Sequence, residues 1–219
     1  MFYNYAPLIL MLFGTIIGLT GYYLDMVCSV GDRGWLWAGM VFILASGGVV
    51  SGGLIRKLSI NSHTDFLTGL RNRRYFHSRL NREEVRAHKK KTPSCIAMVD
   101  VDDFKTINDT YGHAMGDTIL SDLAFLLKMN TREADIVTRW GGDEFAIIFP
   151  ETVLADASEI MERIRQRVEA RFHSSYGLTI SAGIAELGSD RDLQDALVKA
   201  DRALYEAKIQ KNSIITGTG

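Results

Sequence analysis

The chain has 219 residues and is nearly neutral, with 25 basic side chains against 26 acidic ones. Such a balance gives no electrostatic basis for nucleic-acid binding, and no nucleic-acid partner is expected. The two cysteines, Cys28 and Cys95, fall in segments with different expected surroundings, which excludes a disulfide framework.

Apolar residues are concentrated at the N-terminal end. Met1–Leu24 and Gly34–Ile55 contain no charged side chain, and each is long enough to cross a hydrocarbon core, which takes roughly 20 residues. Segment 1–57 is therefore expected to hold two transmembrane helices, at about residues 6–24 and 34–55. A cleaved signal peptide is not expected, because no basic segment precedes the first run and a second run follows. Buried core helices are the soluble alternative, and the tandem arrangement argues against them. The connecting loop holds Asp25, Asp32 and Arg33, whereas Arg56, Lys57, Arg71, Arg73 and Arg74 follow the second run. The positive-inside rule then places both ends of the hairpin, and everything after it, in the cytoplasm, with Cys28 near the outer face. Gly14/Gly18 and Gly48/Gly52 either let the helices approach closely or reflect the general abundance of glycine in membrane helices.

Leu58–Thr64 reads as a short polar linker, and 65–219 as one globular domain with a full core. The chain beyond the anchor carries equal numbers of acidic and basic residues. A helix is predicted over Arg73–Lys91, ended by Thr92-Pro93. Its basic end, Arg86, His88, Lys89, Lys90 and Lys91, is either solvated or in contact with anionic lipid. Ile96–Val99 reads as a buried strand running into Asp100-Val101-Asp102-Asp103. A helix over Thr118–Asn130 follows, then strands near Asp135–Trp140 and Glu144–Phe149. The Gly141-Gly142 pair between them reads as a tight two-residue hairpin. Helical spacing of Ile160, Ile164 and Val168 marks Ala155–Phe172. Leu178–Ala185 is a strand, and Asp192–Gln210 a last helix with Leu193, Leu197, Ala200 and Leu204 inward. The order α-β-α-ββ-α-β-α predicts an α/β sandwich with a mostly antiparallel central sheet.

Carboxylates gather where these strands end. Asp100 closes one, and Asp143 and Glu144 sit at the hairpin of its expected neighbour. Carboxylates held together repel unless a cation lies between them, and Mg²⁺ bound through such oxygens commonly bridges to phosphates. Lys105 is placed to offset phosphate charge. Asn108, His113 and Asp117 surround a glycine-bearing turn, and a carboxylate there can accept both N1–H and N2–H of guanine. Taken singly, each of these residues also fits a helix cap or a solvated turn.

Asp100–Asp109, Tyr111-Gly112-His113 and Gly116-Asp117 resemble the nucleotide-binding stretch of GGDEF-domain diguanylate cyclases. Gly141-Gly142-Asp143-Glu144-Phe145 is similar to that family's eponymous motif. Asp65–Arg74, Ser181–Ala185 and Ala200–Lys208 resemble three further blocks, so the likeness covers about residues 65–213. It implies a fold like that of nucleotidyl cyclases and polymerase palms, preceded here by the two-helix transmembrane hairpin. It implies that two GTP become cyclic di-GMP (c-di-GMP) and two pyrophosphates at two Mg²⁺ ions, or Mn²⁺, per site. By resemblance, Asp100, the Val101 carbonyl, Asp143 and Glu144 hold metal, and Asp143 accepts the ribose 3′-hydroxyl proton. Lys105 and the backbone around Phe104 stabilise phosphate charge. Asn108 and Asp117 read guanine, His113 helps hold substrate, and Lys208 remains as a further nucleotide contact. The aspartate at Asp117 implies strict use of GTP.

One domain holds one GTP, so the resemblance implies a symmetric homodimer at the inner membrane. Arg132-Glu133-Ala134-Asp135 resembles the family's inhibitory product site, with Arg163 as an additional arginine, and implies feedback inhibition by c-di-GMP. One block departs from the family: where it has Gly-Arg-Asn, this chain reads Lys211-Asn212-Ser213. The competing reading is an inactive domain that only binds c-di-GMP through Arg132 and Asp135. Retention of both Asp143 and Glu144 favours the enzyme.

Overall fold

The computed structural model describes residues 2–27, 34–61, 63–90, 92–187 and 193–217. Cys28, Asp32, Arg33 and Lys91 lie outside them, as do the side chains of Arg56, Lys57, His88, Lys89, Lys90 and Leu193. The chain divides into two compact units, Met1–Ser62 and His63–Gly219.

The first unit pairs helix α1 (Phe2–Val27) with helix α2 (Gly34–Asn61). A Cβ added at Gly14 would touch the Leu44 backbone at 3.0 Å, and one at Gly48 would touch Leu10 and Met11 at 2.8 Å. Gly18 faces Val41 and Gly21 faces Trp37 in the same way. These contacts run in opposite order along the two helices, so the small residues do let the backbones approach. Polar groups are satisfied locally. Thr15 and Thr20 donate to the carbonyls of Met11 and Ile16, each at 2.8 Å, and the Trp37 indole N–H donates to Asp25 at 2.6 Å. Phe13, Ile16, Phe42 and Ile43 are exposed, which is not how core helices carry large apolar side chains. Leu8–Val27 and Trp37–Ile55 are each long and apolar enough to cross a membrane. Helix α2 runs through Asn61, so Leu58–Asn61 is helical where a polar linker was read.

The second unit is a sandwich around a six-stranded sheet. Its elements are β1 (Arg71–Asn72), α3 (Arg73–Lys90), β2 (Ser94–Val101), α4 (Phe104–Tyr111), α5 (His113–Met129), β3 (Ile136–Gly141), β4 (Glu144–Phe149), α6 (Leu154–Tyr176), β5 (Ile180–Leu187), α7 (Leu193–Gln210) and β6 (Ile214–Thr216). The strand order is β1-β3-β4-β2-β5-β6. The four central strands pair antiparallel, and each edge strand adds in parallel.

Strand periodicity sorts the core into two faces. Cys95, Ala97, Val99, Phe145, Ile147 and Phe149 point to one face, under Leu120, Leu123 and Leu127 of α5 and Met161, Ile164 and Val168 of α6. Ile96, Met98, Ala146 and Ile148 point to the other, under Phe76 and Leu80 of α3 and Ala196, Ala200 and Leu204 of α7. Buried on both faces, β2 reads as a continuous apolar run, as a central strand must.

The structure departs from the sequence reading at several places. The two residues between β3 and β4 are Gly142 and Asp143, not the Gly-Gly pair. Gly141 already pairs with Glu144, after a register shift between Arg139 and Gly141, and Gly142 takes φ +50°. The α4 helix was missed, because its polar residues hide a single buried anchor, Ile107. Helix α5 begins at His113 rather than Thr118. The expected turn over Tyr111–Asp117 shrinks to Gly112, whose φ of 82° ends one helix and starts the next.

Candidate functional site

The sheet brings the acidic residues together through its register. Asp100 lies one residue before the end of β2, with its Cα opposite Glu144 on β4 and Ser181 on β5. The Val101 N–H donates to the Asp143 carbonyl at 3.3 Å, which ties the hairpin turn to the end of β2. Residues 44 positions apart in sequence thus share one sheet end. The Asp100 side chain is only 5% exposed, and the Lys208 ammonium lies 2.8 Å from it. Burial pushes the Asp100 carboxyl above its usual range. Lys208 opposes that shift, and the charges of Asp143 and Glu144 add to it. Burial acts downward on Lys208, but Asp100, with Asp143 and Glu144 behind it, draws its pKa up.

Three carboxylates facing one ammonium leave the site negative, which is the condition that favours a cation. Among the described residues, no group of three or more His, Cys, Asp or Glu side chains is gathered tightly enough to hold a metal by itself. Mg²⁺ does not require one, since it keeps several waters and takes one or two carboxylates plus substrate phosphates. The donor set of Asp100, Asp143, Glu144 and the Val101 carbonyl fits that mode of binding.

The loop after β2 is fixed from inside. Asp102 is buried, and its carboxylate accepts hydrogen bonds from Thr179 Oγ1 (2.7 Å), Ser181 Oγ (2.7 Å) and the Asn212 N–H (2.9 Å). Asp103 follows in the left-handed region at φ 53° and opens α4 without any side-chain cap. An uncapped helix start presents free N–H groups and the positive end of the dipole, the usual setting for phosphate. Phe104 and Lys105 form this start, with Phe104 packed on the core and Lys105 exposed.

One turn on, Asn108 lies against Gly116 of α5, and a Cβ at Gly116 would strike the Asn108 Oδ1. The glycine thereby makes room for the amide beside Asp117. His113 and Asp117 are exposed one turn apart on the same helix face. The structure therefore places Asn108 beside Gly116, next to Asp117, with His113 one turn before Asp117 on α5.

Three residues that no sequence signal singled out hold this arrangement. Arg139 donates to the Gly142 carbonyl through Nε (3.0 Å) and Nη2 (2.8 Å), and to Asp65 through Nη1 (3.1 Å). Asp102 is the second. Among Asp100, Asp102 and Asp103, nothing in the sequence told that Asp102 would be spent on Thr179, Ser181 and the Asn212 N–H. Arg165 of α6 is the third, donating to Asn212 Oδ1 at 2.7 Å while paired with Glu162 and Glu169. Asn212, the departure noted in the sequence, is thus built into the link between α6 and the α7–β6 turn. Its neighbour Lys211 pairs with Asp103 at 2.7 Å.

Arg132 and Asp135 meet in one turn. The Arg132 N–H donates to Asp135 Oδ2 at 2.7 Å, and its guanidinium donates to Thr152 at 2.7 Å. Asp135 is 3% exposed and its other oxygen has no partner among the described residues; burial raises its pKa, against the opposing effect of Arg132. Arg163 donates to the Asn130 carbonyl at 3.2 Å, two residues before Arg132. A cavity of about 350 Å³ opens at Asp135, with Arg71, Tyr75, Lys128 and Glu133 in its wall.

Comparison with known proteins bears on this geometry. Residues 62–213 match the family model described as diguanylate cyclase, GGDEF domain. The response regulator PleD of Caulobacter vibrioides is 41% identical over 161 residues, covering 70% of this chain and 36% of PleD. Diguanylate cyclase A of Treponema denticola is 38% identical over 162 residues, covering 70% and 43%. The chain therefore spans less than half the length of either relative. The crystal structure of the GGDEF domain of DgcB from Caulobacter crescentus in complex with c-di-GMP superposes with a TM-score of 0.67 at 32% identity, covering 72% of this chain and 96% of that one.

Proposed function

This chain belongs to the diguanylate cyclase, GGDEF domain family, and from that premise we propose that it condenses two GTP into c-di-GMP, releasing two pyrophosphates. The observation that carries the reading is the sheet end where Asp100, Asp143 and Glu144 converge beside the uncapped start of α4. Asp100, Asp143, Glu144 and the Val101 carbonyl would hold Mg²⁺, which supplies charge neutralisation and an in-line clamp at the α-phosphate when bound. Asp143 accepts the 3′-hydroxyl proton. The α4 start, Phe104, Lys105 and Lys208 hold the triphosphate. Asn108 and Asp117 select guanine by accepting and donating at its edge, and His113 flanks the nucleotide.

One domain presents one half of a two-fold reaction, so the active form is a homodimer in which each 3′-hydroxyl attacks the partner's α-phosphate. The Met1–Ser62 unit serves as a two-span anchor in the inner membrane, and the catalytic unit, 65–219 by the sequence reading, lies on the cytoplasmic side. The exposed apolar side chains of α1 and α2 support this. Arg132, Asp135 and Arg163 form an inhibitory product site. The Asp135 oxygen that has no partner among the described residues supports it, since a buried acceptor without a donor suits the N–H groups of a guanine. Arg132→Ala should raise the c-di-GMP concentration needed for half-inhibition at least about tenfold, the loss of roughly 1.4 kcal/mol of binding.

The deciding experiment incubates the full chain, in detergent micelles, with GTP and Mg²⁺ and separates the products by chromatography. Formation of c-di-GMP that stops on chelation supports the proposal. A confirmed dimer that makes none overturns it and leaves a c-di-GMP receptor.

A further inference from the structure

Lys208 is a cation placed where a metal is expected. Its ammonium lies 2.8 Å from Asp100 Oδ2, the most deeply buried of the three carboxylates at this sheet end. Asp143 and Glu144 act on the same ammonium electrostatically, although among the described residues its ion pair is to Asp100. The lysine side chain itself is 48% exposed, so its four-carbon stem is not locked in place by packing. It projects from the last turn of α7, which is seated on β5 through Gly183, whose missing Cβ admits the backbone of Ala200 and Leu204. The helix is thus held against the sheet, while about half of the lysine side chain stays open to solvent. An ammonium on Asp100 Oδ2 and a hard divalent cation on the same carboxylate repel each other, so each weakens the other's hold on Asp100.

We propose that Lys208 is the resident counter-ion of the acidic site. Its ammonium neutralises Asp100 until a divalent cation displaces it, and the displaced lysine then pairs with nucleotide phosphate. The site resists metal alone and accepts metal together with a nucleotide, because the triphosphate gives the lysine a new partner. This inference rests on the metal assignment above.

The test counts bound Mn²⁺ by the loss of its free electron paramagnetic resonance signal, using the full chain in detergent micelles. Wild type, Lys208→Met and Asp100→Asn are compared, first without nucleotide and then with a non-hydrolysable GTP analogue. Lys208→Met should bind Mn²⁺ alone about tenfold more tightly, yet bind the GTP analogue more weakly. A variant damaged in its fold would weaken both, and Lys208→Gln, which keeps a hydrogen bond to Asp100 without the charge, should repeat the opposite changes. Unchanged or weaker Mn²⁺ binding in both lysine variants, with binding lost in Asp100→Asn, overturns the counter-ion role and leaves the metal assignment standing. Full Mn²⁺ binding in Asp100→Asn overturns both.

Discussion

Asp143 and Arg139 show how differently two residues of one short segment act. Asp143 occupies the turn between β3 and β4, with its backbone carbonyl bonded to the Val101 N–H; the proposal gives its side chain the metal and the 3′-hydroxyl proton. Asp143→Asn keeps the volume and the backbone bond but removes the charge. It should abolish c-di-GMP synthesis while leaving c-di-GMP binding at Arg132 intact, as read by product chromatography and by calorimetry. Arg139 does not face the chemistry. Its side chain is 13% exposed, and it spends its donors on the Gly142 carbonyl and on Asp65. Arg139→Ala should destabilise the domain by about 2 kcal/mol, the usual cost of losing hydrogen bonds made by a buried charge. Burial acts to raise the Asp65 pKa, but hydrogen bonds from Thr68 and Arg139 outweigh it and hold the carboxyl below its ordinary value of 3.8. A carboxyl lowered in this way stabilises the fold once ionised, and acid removes that contribution as pH falls through the lowered value. Asp65→Asn should lose this acid-sensitive component in unfolding curves followed by tryptophan fluorescence.

At the scale of elements, the site depends on how α7 lies on the sheet. Apolar spacing in the sequence located this helix correctly and placed Ala200 and Leu204 inward. The buried stripe also includes Ala196, Ala203 and Ala207, and Leu197 is only partly buried. Small residues dominate the stripe because β5 approaches closely at Gly183. Gly183→Ala would drive a methyl group into the α7 backbone. Overpacking of this kind costs about 1–3 kcal/mol, and here it would also lift Lys208 away from Asp100. Thermal unfolding should show the loss of stability, and GTP turnover should fall further than the shift in melting temperature explains. Helix α4 teaches the opposite lesson about legibility. Eight residues with one buried anchor lack an apolar period, so tertiary packing and the Asp103 backbone turn decide its helicity.

For the whole molecule, the proposal requires two copies. It gives each chain one nucleotide site and needs two such sites facing each other. Nanodiscs loaded with a single copy should form no c-di-GMP, and discs loaded with two copies should form it at the rate of the detergent dimer. Equal activity per chain in both would rule out the dimer requirement. The glycines at which α1 and α2 meet, Gly14, Gly18 and Gly48, are used within one chain's helix pair.

The sequence by itself determined the class of the fold, the two apolar helices and the residues that meet at the sheet end. Period, turn residues and uncharged runs are local properties, and strand-end acids beside glycines form a local pattern. Tertiary structure alone decided that Asp102 points inward to Thr179 and Ser181, that Lys208 reaches Asp100, and that Arg139 spans from Asp65 to Gly142. Each of these joins residues more than 70 positions apart. The way helices and loops seat on the assembled sheet settles such pairings, and that seating is a property of the whole unit rather than of any one segment.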